Sequence, residues 1–424
     1  MKKEIHTSSI GFGVHLLTGG GEIAITSARR PRGCYRHEIA QTRCSTTPEL
    51  PVISEEHAVK YSAGSLESLA NTILAGFGCE KEECDIVAEH LVSANLAGHD
   101  SHGVGMLPVY GKQVEDGNLI PNQTPEIISA TGAVTVVDAR RGFGHRMALL
   151  ALDEAIKSCR KNKVAVLGLR NSGHVSRTGH YSEYCAKHGL ISLHFVNVWG
   201  HAPLVAAYGS SEPAFSTNPI SIGIPVNGNA KPMLDLATST VAFGKVRVAH
   251  NRGQKIPLGW VIDDAGSPTD DPSPIWLNRS GALTPFGKHK GSGLAIFVEL
   301  LAGAIAGTET VATGNYIPNG VFNNMFSILV DPQAFDTQDE IEERVMEFYQ
   351  SIKTSRPATE THDDEQLKSQ SEVLMPGEPE LNYRLDRERY GIDVDPETIE
   401  QLVSIGEDFG SKAVDLRHLL EQTG

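Results

Sequence analysis

Between residues 133 and 197 short β-rich runs alternate with helical stretches, and this alternation restricts the fold more than any other feature of the chain. Residues 134–137, 164–169 and 190–196 read as strands, while 148–159 and 181–187 carry a helical period. Strands interleaved with helices bury their apolar faces as a sheet covered by those helices, so an α/β fold is expected. Residues 220–224, 233–236 and 326–330 are further strand candidates. Residues 238–250 read as a helix ahead of a Gly-, Pro- and Asp-rich loop over 253–274.

Helical patterns flank this region. Leu66, Leu69, Ala70, Ile73, Leu74 and Phe77 form one apolar face behind a Ser65 N-cap. A second helix is expected over 80–97, with Gly98 placed to end it, so that His99-Asp100-Ser101-His102-Gly103 falls in a corner between helices. Residues 291–305 are apolar on every side and predict a buried helix, in which Glu299 is read as paired to a core base. Acidic helices are expected near 341–351 and 397–409, and the polar stretch 354–370 reads as a loop. Residues 1–55 have no periodic apolar face and read as a disordered or extraneous leader. Their Arg and Ser/Thr content hints at organelle targeting, but Glu4, Glu22 and Glu38 count against it.

Composition removes several function classes. With 424 residues, and about 150 per domain, two or three domains and an ample core are expected. The net charge of −15 is carried by residues 331–424, which hold 24 acidic and 9 basic side chains, so the rest is balanced and offers no basic stripe for nucleic acid. Six scattered cysteines without a C-x-x-C pair fit reduced thiols in a cytoplasmic protein and no metal site. The longest apolar stretch, 294–305, is far below the roughly 20 residues that span a bilayer, so no membrane partner is expected.

The chain lacks G-x-G-x-x-G, Walker A, G-x-S-x-G and H-E-x-x-H patterns. Four other segments concentrate reactive and small residues. In His99-Asp100-Ser101-His102-Gly103 a neutral imidazole can take or give a substrate proton, although read alone the cluster serves equally as a helix-end cap. Asn171-Ser172-Gly173-His174 follows a strand, where ligands bind α/β sheets, and Arg177 behind it can hold a carboxylate or merely be solvated. Asp235 to Ser239 reads either as an ordinary cap or as backbone facing a phosphate or ribose. His289-Lys290-Gly291-Ser292-Gly293 opens the apolar helix and can form an anion nest, or can simply supply small residues at a crowded entry.

In this order, and with "SANLAGHDSHGVGMLP", "STNPISIGIP", "LDLATSTVAFGKVRVA", "LTPFGKHKGSGLA" and "LMPGEPELN" as the most specific phrases, the chain resembles the malate/L-lactate dehydrogenase family. The likeness runs from about residue 58 to 410 and is strongest to the hydroxycarboxylate dehydrogenase B branch. The resemblance implies a mixed α/β fold that is not a Rossmann fold, with a sheet-containing nicotinamide-binding domain (133–285) inserted in a mainly helical domain (56–132 with 286–424). It also implies hydride transfer between NAD, or NADP, and a small 2-hydroxy or 2-oxo carboxylic acid, by a homodimer. By the same resemblance His102, beside Ser101, is the proton donor or acceptor, and His174 shares an acid/base role in some members. Nicotinamide contacts then fall on Asn197, on Asp235, Leu236 and Ala237, and on His289 and Lys290. Some relatives carry Arg where this chain has Met106, which leaves Arg177 as the candidate carboxylate anchor. Two other readings stay open: reduction of a cyclic imine of the Δ1-piperideine-2-carboxylate type, and a catalytically silent binding protein on the same fold.

Overall fold

Seven strands form the central sheet of the computed structural model, which describes residues 59–421 apart from 252, 278–279, 314–315 and 357–371. The leader expected over 1–55, and from residue 357 onward the loop expected over 354–370, lie outside the described residues. In chain order the strands are β1 Glu126–Thr131, β2 Val134–Asp138, β3 Val164–Gly173, β4 Ile191–Trp199, β5 Ile220–Val226, β6 Asn229–Leu236 and β7 Phe322–Val330, and in space they run β1-β2-β3-β7-β4-β5-β6. Within this sheet, among the described residues, only β2 and β3 pair parallel. All other neighbours are antiparallel, so the sheet lacks the parallel switch point of doubly wound nucleotide folds. The strand between β3 and β4, β7, comes from outside residues 133–285, as does the edge strand β1.

Helices α4 (Gly144–Asn162) and α5 (Gly179–Lys187) cover one face, where Met147, Ala151, Leu152 and Cys159 meet Leu167, Leu169 and Met325 in one core. The opposite face receives a segment that starts as α7 (His289–Val298) and continues as a π-helix over Glu299–Ala306. Close approach is set by small residues, since a Cβ on Gly168 of β3 would lie 3.1 Å from Ala306 Cβ. The expectation of a helix buried on all sides fails here. Leu294, Ile296, Phe297, Leu300 and Ile305 are exposed, and only the stripe of Gly291, Ser292, Ala295, Val298, Ala302, Gly303 and Ala306 is buried. Its 18 residues reach the length and apolarity of a short membrane span by composition, with 44 % of the window buried inside the fold.

A second core is helical. It joins α1 (Ala63–Gly76), α2 (Lys81–Leu96) and α3 (Leu107–Glu115) to the C-terminal helices α10 (Pro396–Asp408) and α11 (Ala413–Glu421), while the acidic helix expected near 341–351 is α8 (Gln338–Lys353). Helix α1 starts earlier than its apolar pattern suggests. Ser62, extended at φ −68° and ψ 152°, is the N-cap and accepts from Ser65 N–H at 3.0 Å, while Ser65 itself is buried in the first turn. Helix α6 (Phe243–Asn251) starts later than expected. Residues 238–240 are bound elsewhere, with Thr238 N–H on Thr217 O and Thr240 N–H on Thr284 O at 2.8 Å each, so they cannot enter the helix. Strand β3 outruns its apolar run and carries Asn171-Ser172-Gly173 inside the sheet, with Ser172 and Gly173 paired to Asn323 and Phe322 of β7.

Candidate active site

The corner after α2 is built before any chemistry is asked of it. Gly98, at φ +81°, turns the chain where a Cβ would meet the Tyr383 ring at 2.7 Å. Asp100–His102 and Val104–Met106 then form two short 3₁₀ turns. Asn95 ties them together by donating to Asp100 Oδ1 at 2.8 Å and accepting from Val104 N–H at 2.9 Å. Gly103 is required there, because a Cβ would lie 2.1 Å from Asn95 Oδ1. Helix α9 (Glu378–Tyr390) braces the corner from outside. Arg387 holds both oxygens of Asp100, at 2.6 and 2.9 Å, and Glu380 lies 3.6 Å from His99 Nε2. Burial would raise the Glu380 carboxyl, but its bond to His99 and the charges of His99 and Arg177 hold it below the ordinary carboxylate value.

His102 projects from this corner with Ser101 Oγ 3.0 Å from its Nδ1, and its carbonyl accepts from Ser176 Oγ at 2.8 Å. His174 comes from the other side, just beyond β3, where Asn323 Oδ1 accepts from Val175 N–H at 2.9 Å. The two rings stack 5.6 Å apart with planes inclined by 21°. Burial, and for each ring the positive charge of neighbouring imidazoles, pushes both pKa values down to about 3. Both are therefore neutral near pH 7, the state in which an imidazole can accept a proton. Tyr110 of α3 reaches His174 Nδ1 at 2.8 Å. No group among the described residues hydrogen-bonds Nε2 of either ring.

Three expected site residues are placed differently. Arg177 is 2 % exposed and its guanidinium meets Glu183 at 2.6 Å and Asp235 at 3.8 Å, so it is an internal charge rather than an anchor facing a substrate. Asp235 accepts from Gly179 N–H at 2.9 Å, and burial raises its carboxyl against the pull of His99 and Arg177. Asn197 is fully buried. It donates to Glu299 Oε1 at 3.0 Å and to Glu309 O at 3.1 Å, and accepts from Asn324 Nδ2 at 3.0 Å, which leaves nothing to offer a cofactor. Glu299, in turn, has no basic partner among the described residues. Asn197, Asn218 Nδ2 at 2.8 Å and Val311 N–H at 2.7 Å satisfy its carboxylate.

Leu236 and Ala237 are half-buried at the end of β6, and His289 and Lys290 are exposed in the first turn of α7, where the N–H groups of Lys290, Gly291 and Ser292 are already bonded to the carbonyls of Gly287, Phe286 and Lys288. A Cβ on Gly293 would meet nothing within 4 Å. The structure thus brings Ser101, His102 and His174 into one group, joins Arg177 to Asp235 in a second, and sets His289 and Lys290 on a third element. Sequence reasoning missed Asn95, Tyr110, Glu380 and Arg387. Of these Asn95 and Glu380 lay in phrases already singled out, "SANLAGHDSHGVGMLP" and "LMPGEPELN".

The chain matches the malate/L-lactate dehydrogenase family over residues 61–403. It is 34 % identical to hydroxycarboxylate dehydrogenase B of Escherichia coli (strain K12) over 369 residues, covering 87 % of this chain and 99 % of the relative. It belongs to the malate/L-lactate dehydrogenase family. Solved structures agree with that membership. Sulfolactate dehydrogenase of Methanocaldococcus jannaschii superposes at a TM-score of 0.74 with 31 % identity, over 84 % of this chain and 99 % of that one. The Δ1-piperideine-2-carboxylate reductase of Pseudomonas syringae gives a TM-score of 0.68 with 28 % identity, over 82 % and 99 %. This dehydrogenase-family chain is thus an oxidoreductase on the mixed α/β fold.

Proposed function

We propose that the protein interconverts small 2-hydroxy and 2-oxo carboxylic acids with NAD or NADP, using His102 as proton acceptor in oxidation and donor in reduction. The observation that carries this reading is the facing pair His102 and His174, neutral and with both Nε2 atoms unclaimed by protein. The exposed Lys290 side chain, at the positive end of the α7 dipole, suits a pyrophosphate, and the half-buried Leu236 and Ala237 offer an apolar edge, so the residues present fit a dinucleotide. When bound, the nicotinamide supplies the hydride chemistry. The chain orients the substrate and moves one proton at its hydroxyl oxygen through His102. Ser101 supports that task, since a hydroxyl beside Nδ1 can donate or accept as the ring changes protonation state.

The test is loss or gain of reduced-nicotinamide absorbance with malate-, lactate-, glutarate- and phenylpyruvate-type 2-oxo acids, for wild type and His102→Ala. The variant should lose about 10²- to 10⁴-fold in turnover while still binding cofactor. Undiminished turnover in His102→Ala would remove the assigned role. A cyclic imine belongs in the same panel because of the structural likeness to the Δ1-piperideine-2-carboxylate reductase, and preference for it over every 2-oxo acid would replace the substrate class. Binding of cofactor with no turnover of any substrate would favour a silent binding protein. We further propose a homodimer whose contact includes the exposed apolar side of the 289–306 segment, Leu294, Ile296, Phe297, Leu300 and Ile305.

A further inference from the structure

The Tyr110 side chain is 1 % exposed and its ring stands edge-on to Phe143 and His145, so its hydroxyl is closed off from water and needs a protein acceptor. Two imidazoles are near. Both ring nitrogens of His145 are buried without any hydrogen-bond partner, which excludes them, whereas His174 Nδ1 lies 2.8 Å from the phenol oxygen. Were Nδ1 to carry the proton, it would donate to the phenol oxygen and the buried O–H would have no acceptor. An unmade donor is the expensive arrangement, while a spare lone pair on a phenol is tolerated. Burial also raises the phenol's pKa, so it keeps its proton to donate.

We propose that Tyr110 is a positioning residue that fixes His174 in the Nε2–H tautomer, so that His174 presents a standing N–H donor to a substrate oxygen and leaves proton transfer to His102. The two histidines then differ for a structural reason. The Ser101 hydroxyl beside His102 Nδ1 rotates between donor and acceptor and tolerates either protonation state. The phenol beside His174 can only donate there, which opposes a proton on Nδ1 and hence the imidazolium. The substrate half of this inference rests on the dehydrogenase reading above, but the tautomer is a property of the chain alone.

The tautomer is read directly from the imidazole ¹⁵N shifts of the full-length chain labelled at histidine, with His174→Gln used to assign the resonances. Wild type should show an unprotonated Nδ1 and a protonated Nε2 at His174, and Tyr110→Phe should spread the proton over both nitrogens. In turnover, Tyr110→Phe should lower kcat about tenfold, the worth of one buried hydrogen bond, with the KM for cofactor unchanged. The same substitution in a His174→Gln background, whose amide N–H stands near the former Nε2 position, should change kcat less than about twofold. Equal losses in both backgrounds would mean that Tyr110 only fills space. A proton on Nδ1 in wild type, or a pure Nε2–H tautomer surviving in Tyr110→Phe, would overturn the proposal whether or not any 2-oxo acid is turned over.

Discussion

Arg177 shows how a residue's type and its environment can point to different tasks. A guanidinium behind a strand end is the natural partner of a substrate carboxylate, yet here the carboxylates it meets are Glu183 and Asp235 of the chain itself. Burial would raise Glu183, and the Arg177 charge and hydrogen bond hold it below its usual value instead. Breaking such a pair strands the remaining charges, so Arg177→Met should destabilise the protein by about 3 to 5 kcal/mol in urea unfolding and leave the KM for substrate unchanged below the transition. A raised KM at unchanged stability would return Arg177 to the role of anchor. Asn197 and Glu299 are the same case. The residue types were legible as unusual, but only contacts with Asn218, Asn324 and Val311, distant in sequence, show that they satisfy one another.

At the level of elements, apolar periodicity located the main helices and most strands of the seven-stranded sheet, because burying one face leaves a repeat of 3.6 or 2 in the sequence. It failed where hydrogen bonds or small residues set the outcome. β3 extends past its apolar run because β7 pairs with Ser172 and Gly173, and α6 begins late because its expected first turn is bonded to the carbonyls of Thr217 and Thr284. Helix α4 reaches the site in a way no periodicity shows. A Cβ on Gly144, its first residue, would stand 2.3 Å from Gly173 O and 2.4 Å from His174 O. Gly144→Ala must therefore push α4 off the strand end that carries His174. We expect a loss of roughly 1 to 3 kcal/mol in stability together with reduced kcat, measured by thermal melting and the nicotinamide assay. Unchanged melting and turnover would show that the strand end yields without consequence.

Over the whole molecule, buried histidines couple stability to pH. His90, His145 and His194 are each at most 1 % exposed, and burial lowers the pKa of all three, His145 and His194 to about 3. An unfolded chain takes up protons below about 6.5 that the folded one refuses, so this stability is complete above that pH and is lost as pH falls toward 3. Each histidine contributes a slope of up to about 1.4 kcal/mol per pH unit in that window. The urea midpoint should fall from pH 7 to pH 5, less steeply in His90→Phe, and an equal slope in both proteins would contradict the account. Assembly is tested at the same scale. Phe297, 65 % exposed on the apolar side of its segment, should convert the proposed dimer to a monomer in light scattering when changed to Asp, and a dimer that survives places the contact elsewhere. The sequence by itself determined the α/β class, the family and the His102 corner, because these rest on local periodicity and on contiguous phrases. Tertiary structure alone decided that β7 enters the sheet between β3 and β4, that Arg177 and Asn197 face inward, and that Tyr110, Glu380 and Arg387 support the site, because each depends on residues brought together from far along the chain.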